Sequence, residues 1–327
     1  LGREFPYASL LATDNRGTRC EVRRGQFAVQ DSRWSERGCV VRACDGASCA
    51  EASFNEPPEP GSTAELARRL RAGLASGRER LPCPLPRESP LRRRWRGRVV
   101  RSAEALGVQR MLGRLSALKD RAFRLCPELV DIRLVYEQVT VRKLFLSRLR
   151  ELEQAYTWSQ GYLIPVVRRG GETRPMHRSF SGLKGAELLD ELERELEPTL
   201  KNAQELLEAK RVDPGDYEVI LSPEVAGLLA HEAFGHGVEM DLFVKGRARA
   251  ARYLGRRVGS PRVTMHDGAR AAEQVGSFWF DDEGTLGGDT RIIEGGLFRT
   301  GISDLLSALR LGTQPTGNGC LLYTSDA

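Results

Sequence analysis

The chain has 327 residues, of which 40% are hydrophobic, and its formal net charge is +6 at pH 7. This length allows two or three domains with a sizeable core. The sequence has no apolar run of about 18 residues and no signal-peptide pattern after Leu1, so it predicts no membrane span. Seven cysteines, an odd number without paired metal-binding spacing, indicate scattered thiols in a reducing cytoplasm rather than a disulfide framework.

Residues 1–80 predict an N-terminal β/α domain. Short strand-like segments, Thr18–Val22 and Cys39–Ala43, are followed by a helix from Ser62 to about Leu74 with leucines near one side. Residues 81–100 are rich in proline and arginine, which is typical of a linker. The densest basic run, Arg92–Arg98, surrounds a tryptophan. Such a run could contact nucleic acid, but its position beside the prolines favours the linker.

Residues 101–215 predict a middle α+β domain. A helix from about Ser102 to Leu125 precedes a strand-rich stretch in which Ile132, Leu134 and Tyr136 share one face. A long amphipathic helix is then expected over residues 184–209, bent at Pro198. The following segment, Tyr217–Leu221, is apolar and β-branched and predicts a short strand.

Residues 216–327 begin with the most informative stretch of the chain. Ser222 and Pro223 have the pattern of a helix start, and the apolar helix they begin leads into His231, Glu232 and His236. Tight packing of this helix would fix the histidines. Imidazoles are common zinc ligands, and an adjacent glutamate can act as a base for a metal-activated water.

The spacing of the two histidines requires an irregular helix if both are to bind one ion. At ~100° per residue, five residues turn an α-helix by ~500°, which leaves the two side chains about 140° apart. A single π-type turn nearly closes over five residues and would bring them together. Gly235, which has no Cβ, lowers the cost of that distortion. A buried helix with two incidental histidines remains the alternative, and the spacing alone does not decide between the two.

Further residues after the histidines offer carboxylates and turns. Glu239 and Asp241 could orient the histidines or lie on a solvated helix end. Asp281 and Asp282, with Glu283 and Gly284, could fix a loop or the substrate near the site, or form only a structural turn. The frequent glycines after residue 255 predict tight turns in a mostly β region. The predicted fold class is α+β, with mixed β/α domains followed by a metal-site helix and this glycine-rich region.

Three stretches of the chain together resemble the TldD/PmbA family of metallopeptidases, and specifically its zinc-carrying, TldD-like branch. They are His231–Asp241, then Phe278–Thr285 with Ile292–Leu297, and finally Pro315–Gly319, in the family's order and approximate spacing. The resemblance implies that His231 and His236 bind Zn²⁺ and that Glu232 polarises the attacking water. It also implies a third ligand, a cysteine expected beyond residue 327, so the chain by itself is expected to be truncated and inactive. We do not assign Cys320 to zinc, because the residues after Gly319 depart from the family pattern.

The resemblance further implies a cytoplasmic peptidase that hydrolyses flexible or unfolded peptides. Its expected partner is a PmbA-like subunit or a second copy of the chain, which would enclose the site and exclude folded proteins. An extended peptide would bind by adding a strand to a sheet edge. Two alternatives remain: a catalytically inactive scaffold subunit of the same family, and an arginine-rich protein that binds nucleic acid.

Overall fold

The structure, a computed structural model, describes residues 1–56, 59–76 and 83–319. Its main feature is an antiparallel sheet with one parallel edge strand, formed by β1 (Tyr7–Val22), β2 (Phe27–Asp31), β3 (Glu36–Cys44), β4 (Cys49–Phe54), β5 (Leu91–Arg96), β6 (Leu129–Ser147), β7 (Arg150–Arg169), β8 (Glu172–Pro175) and β9 (Arg178–Gly182). The order is β4-β3-β1-β6-β7-β5; β2 also pairs with β1, and β8 and β9 also pair with β7.

Seven α-helices and a small second sheet complete the described part of the fold, and the first, third and fourth helices are the long ones. The helices are α1 (Thr63–Ser76), α2 (Ala103–Leu106), α3 (Val108–Leu125), α4 (Leu188–Glu205), α5 (Pro223–Ala230), α6 (Met240–Val244) and α7 (Leu305–Leu311). A small second sheet has the order β10-β11-β12, with β10 (Met265–Asp267), β11 (Thr290–Glu294) and β12 (Leu297–Phe298). No helix in the described ranges is long and apolar enough to cross a bilayer. The predicted α+β class is confirmed.

The long helices cover one face of the large sheet. Ile132, Leu134 and Tyr136, the three residues predicted to share a face, are buried against α3 and α4. The leucines of α1 pack in the same way on β3 and β4. Side chains alternate between faces along a strand, so Phe145, which differs in parity from Tyr136, lies on the opposite face. There it packs with Phe280 of the C-terminal region.

Part of the linker predicted over residues 81–100 is a strand. Leu91–Arg96 forms β5, which pairs in parallel with β7, and the sheet includes strands from residues 1–80 and from residues 101–215. Arg92, Arg94 and Arg96 face the carboxylates of Glu151 and Glu153 on β7. This strand is stabilised by ion pairs across to β7 and lacks the apolar alternation that predicts a strand. Its partner lies about 60 residues later in the chain, so the local sequence does not reveal the pairing. The domain boundaries themselves remain a prediction.

The strand predicted at Tyr217–Leu221 is not found in the structure. The segment has no regular structure, and the described part of the chain offers it no pairing strand. Val219 and Ile220 are 69% and 102% exposed. A strand needs a hydrogen-bonding neighbour, and β-propensity alone does not supply one.

The expectation of scattered free thiols is wrong at two positions. Cys44 and Cys49 form a disulfide across the β3–β4 hairpin. The register of the hairpin places these two residues directly opposite each other, with Cα atoms 4.2 Å apart, which is why a spacing of five residues can be bridged. Cys20, Cys39, Cys83 and Cys126 are buried free thiols. The cytoplasmic location remains a prediction.

Candidate metal centre

The site begins on α5, whose start matches the predicted pattern. The hydroxyl of Ser222 accepts a hydrogen bond from the N–H of Val225 at 3.4 Å, and Pro223 occupies the first turn. The predicted tight packing of this helix is not found, because no residue of α5 is buried. Leu228 and Leu229 are each more than half exposed. The position of the histidines is therefore fixed by residues C-terminal to α5.

The helix then changes to the π-type turn that the histidine spacing requires. Residues His231–Gly235 are π-helical, and the N–H of His236 donates to the carbonyl oxygen of His231, five residues earlier. The two imidazole rings are 4.5 Å apart between centroids. The predicted convergence of the two histidines is thus present in the structure.

Neither the backbone angles of Gly235 nor its surroundings require a glycine at this turn. Its φ of −56° is ordinary for a helix. A Cβ added there would lie 3.4 Å from Nδ1 of His231, an ordinary van der Waals contact, so the predicted need for glycine is not found. The His231 ring therefore lies over the glycine, next to the His236 ring.

Three candidate ligands meet at this turn. One donor atom from each of His231, Glu232 and His236 lies within 4.8 Å of the other two, and all three residues are exposed. Two ligand atoms at ~2.1 Å from a zinc ion are ~3.4 Å apart in a tetrahedron and at most ~4.2 Å apart. The donor atoms lie up to 4.8 Å apart, and exposed side chains can shorten that distance to the range zinc requires by small rotations. The two imidazoles therefore fit zinc as ligands, and the carboxylate of Glu232 lies beside them, within reach of a water that the ion would hold.

Of the two carboxylates predicted beside the histidines, only Glu239 contacts one. Oε1 of Glu239 lies 3.1 Å from Nδ1 of His236. A carboxylate accepts a hydrogen bond from Nδ1–H, so this contact leaves Nε2 with its lone pair available to a metal. Asp241 instead pairs with Lys245, 2.8 Å away along α6.

Residues that the sequence pattern did not single out hold the turn in place. The ring of Phe234 packs edge-on against Phe298, with centroids 5.3 Å apart. Val238 is fully buried, and its carbonyl accepts the N–H of Ile302 at 3.0 Å. A Cβ on Gly301 would lie 2.2 Å from that same carbonyl oxygen, so only glycine allows the approach. These contacts join regions more than 60 residues apart, which local sequence patterns do not show.

The acidic loop at residues 281–283 is buried and joins the C-terminal region to the large sheet. Oδ1 of Asp281 accepts the N–H groups of Glu283 and Thr285, and Oδ2 accepts that of Gly319. Asp282 pairs with Lys143 of β6. These contacts support the structural role that the sequence left open, and the predicted role beside the metal or the substrate remains a prediction.

Burial raises the pKa of two carboxyl groups in this loop. Burial, with a smaller contribution from Glu283, raises the pKa of Asp281 to about 7 despite its three backbone donors. Burial also raises the pKa of Glu283, although Arg42 of β3 pairs with it and opposes the shift. At Gly284 the chain turns with φ of 76°, and a Cβ there would lie 2.3 Å from the Phe145 ring.

No further ligand of a predicted kind joins His231, Glu232 and His236 within the part of the chain that the structure describes. Cys320, which we did not assign to zinc, lies outside the described residues, as does the position beyond residue 327 where a third ligand is expected.

Comparison with known proteins identifies the C-terminal region. The family description "PmbA/TldA metallopeptidase C-terminal domain" matches residues 214–325. A metalloprotease of Methanocaldococcus jannaschii is 43% identical over 117 residues, which cover 36% of this chain and 26% of the relative. A zinc metalloprotease TldD homolog of Saccharolobus solfataricus is 29% identical over 188 residues, covering 56% of this chain and 41% of the relative. The chain thus spans only part of these relatives.

Solved structures share the fold over nearly the whole chain. TldE from Thermococcus kodakarensis has a TM-score of 0.74 at 17% identity, covering 99% of this chain and 72% of that protein. A protein from Thermotoga maritima described as a candidate modulator of DNA gyrase has a TM-score of 0.78 at 18% identity, covering 96% and 71%. At such identities the likeness establishes the fold alone. Residues 214–325 thus match the C-terminal domain of the PmbA/TldA metallopeptidases in sequence, and the chain as a whole shares the fold of the solved structures.

Proposed function

We propose that the chain binds zinc through His231 and His236 and acts in the hydrolysis of peptide bonds in flexible or unfolded peptides. The observation that supports this most is the π-type turn, which brings both imidazoles and the carboxylate of Glu232 to one point on the surface. A relative named as a zinc metalloprotease supports the identity of the metal.

In this proposal the residues of the site have separate roles. A zinc ion held there supplies Lewis-acid chemistry, lowering the pKa of a water and polarising the scissile carbonyl. Glu232, adjacent to both imidazoles, accepts the water's proton and passes it to the leaving amine. Glu239 keeps the proton of His236 on Nδ1, so that Nε2 is free to bind the metal.

The substrate is inferred from the exposure of the site, and the partner from the shared fold. The imidazoles of His231 and His236 and the carboxylate of Glu232 are exposed, so a peptide can reach them from solvent. An extended peptide can bind by adding a strand to an exposed sheet edge, whereas a folded protein does not offer a free strand. A PmbA-like subunit, or a second copy of this chain, would enclose the site. The shared fold with TldE supports a partner of that kind.

The two other functions are supported less well. The site residues are exposed and only two of them are imidazoles, which would also suit a scaffold subunit without catalytic metal. Nucleic-acid binding is not favoured by the basic run, since Arg92, Arg94 and Arg96 pair with Glu151 and Glu153. These pairs offset much of the positive charge that would attract phosphates.

Metal content and cleavage together test the proposal. The wild-type chain, dialysed against trace zinc, should retain about one equivalent, and His231→Ala and His236→Ala should each lose most of it. His266→Ala is the matched control, because His266 pairs with Asp289 and takes no part in the turn. Equal zinc in all four proteins would contradict the assigned ligands.

The catalytic step is tested by the cleavage of an unstructured peptide at saturating zinc, in a protein that also supplies the expected third ligand. Glu232→Gln should retain zinc and lose at least about 100-fold in rate, because general-base catalysis contributes that much or more. A variant that cleaves at the wild-type rate would show that Glu232 is not the base. In the protein that supplies the third ligand and keeps Glu232, zinc binding without any cleavage would support the scaffold function.

A further inference from the structure

Three of the chain's cysteines meet beside the β3–β4 hairpin of the large sheet, at a cavity whose walls include none of the residues of the metal centre. Cys44 and Cys49 form the disulfide across the β3–β4 hairpin. Sγ of Cys83, a free thiol located after α1 in the chain, lies 3.3 Å from Sγ of Cys49. Reacting atoms in a near-attack arrangement are ~3–3.5 Å apart, so the third sulfur is within reach of the disulfide.

The surroundings enclose this group of sulfurs. Cys44 and Cys83 are each 1% exposed, and Cys49 is half-buried. A cavity of about 300 Å³ adjoins all three. Its other walls are Arg42 and Glu51 of the hairpin, Pro86, and three leucines of α7, Leu305, Leu306 and Leu309. The cysteines thus lie where the hairpin, the segment after α1 and helix α7 come together.

We propose that Cys44, Cys49 and Cys83 form a thiol–disulfide exchange site, in which the Cys44–Cys49 and Cys49–Cys83 disulfides interconvert. The thiolate of Cys83 attacks Sγ of Cys49 and forms the new sulfur–sulfur bond. The Cys44–Cys49 bond breaks, its electron pair goes to Sγ of Cys44, and that sulfur takes up the proton that Cys83 lost. One disulfide is exchanged for another, and no external oxidant or reductant is consumed.

The exchange changes which parts of the chain are joined covalently. The Cys44–Cys49 bond closes only the hairpin turn, since the two residues are five apart in sequence. The Cys49–Cys83 bond would join β4 to the segment after α1, enclosing the helix within a loop. It would also release Cys44, two residues from Arg42, which pairs with Glu283 of the acidic loop.

The charged groups around Cys83 set the speed of the exchange. Burial raises the pKa of the Cys83 thiol; Arg310 and Arg42 oppose the shift, and Asp45 adds to it. The thiolate is the attacking species, so the rate should rise about tenfold for each pH unit below that raised pKa. Exchange should therefore be slow at neutral pH and become faster as the pH rises.

Disulfide mapping of the full chain tests this directly. The protein is held without reductant at alkaline pH, treated with N-ethylmaleimide to block free thiols, acidified and digested with pepsin. The wild type should contain both disulfides, with Cys44 alkylated in the molecules that carry Cys49–Cys83. This measurement needs no variant, so a folding defect cannot mask it.

Three variants sharpen the result. Cys83→Ser should reduce Cys44 alkylation at least tenfold, and Cys44→Ser, incubated with oxidised glutathione as the oxidant, should form the Cys49–Cys83 disulfide. Cys39→Ser, which removes a buried thiol from the same strand outside the group, should give the wild-type pattern. The proposal is overturned if the wild type contains only Cys44–Cys49 and Cys44→Ser leaves Cys49 and Cys83 as thiols. Full alkylation of all three cysteines in the wild type would overturn it as well.

Discussion

The contact between Glu239 and His236 yields a quantitative prediction for zinc affinity. Glu239→Gln keeps the size of the side chain but replaces the carboxylate by a neutral amide. The amide has no negative charge to hold the proton of His236 on Nδ1. Loss of such an outer contact typically weakens metal binding 10–100-fold. The 3.1 Å contact lies on a surface where the Glu239 side chain is 45% exposed and solvent weakens its electrostatics. We therefore expect the lower end, about tenfold, or ~1.4 kcal/mol.

A competitive titration of the chain with zinc and a chromophoric chelator measures this change. Asp241→Asn is the matched control. It removes one negative charge two residues away, but Asp241 contacts Lys245 rather than a histidine. The control should therefore bind zinc within about twofold of the wild type. If Glu239→Gln binds zinc as tightly as the wild type, or Asp241→Asn loses as much affinity, the orienting role of Glu239 is refuted.

Three further predictions concern the loop at residues 281–284 and the close approach at Gly301. Gly284→Ala should lower the free energy of unfolding by roughly 2–5 kcal/mol, because the backbone there is left-handed and a Cβ would overlap with Phe145. Gly170→Ala is the control: its φ is 56° but the space around it is open, so it should lower the free energy of unfolding by only about 1–2 kcal/mol. Equal losses for the two variants in urea denaturation would contradict the overlap. The folded-state pKa of Asp281 is raised from 3.8 to about 7, so its stabilising contribution is complete below pH 3.8 and is lost as the pH rises through about 7. Between pH 4 and 7 the free energy of unfolding of the wild type should fall by up to about 4 kcal/mol more than that of Asp281→Asn. Parallel profiles of unfolding free energy against pH for the two proteins would refute this. Gly301→Ala should disturb the backbone next to the metal turn and weaken zinc binding measurably in the same chelator titration; unchanged affinity would show that this approach does not position the site.

The sequence predicts the features that arise from neighbouring residues. The π-type turn is expected from two histidines five residues apart, because only a wider turn lets both reach one ion. The start of α5 is evident from Ser222 and Pro223, and the shared face of Ile132, Leu134 and Tyr136 is evident from their alternation.

Features that depend on distant partners are not evident in the sequence. The strand β5 exists because Arg92–Arg96 pairs with carboxylates on β7, and Tyr217–Leu221 is not a strand because the described chain gives it no neighbour. The disulfide depends on the register of the β3–β4 hairpin, and the support of the metal turn depends on Phe298 and Gly301. In each case the partner is set by the folded topology rather than by local spacing.

The central claim is that the π-type turn presents two imidazoles to one zinc ion, and X-ray absorption at the zinc edge tests it most directly. The zinc-loaded wild-type chain should show the outer-shell scattering of two imidazoles, with nitrogen ligands at ~2.0–2.1 Å. His236→Ala should lose one of the two, and His266→Ala should leave the spectrum unchanged. A wild-type spectrum without imidazole scattering, or one that His236→Ala does not alter, would contradict the claim.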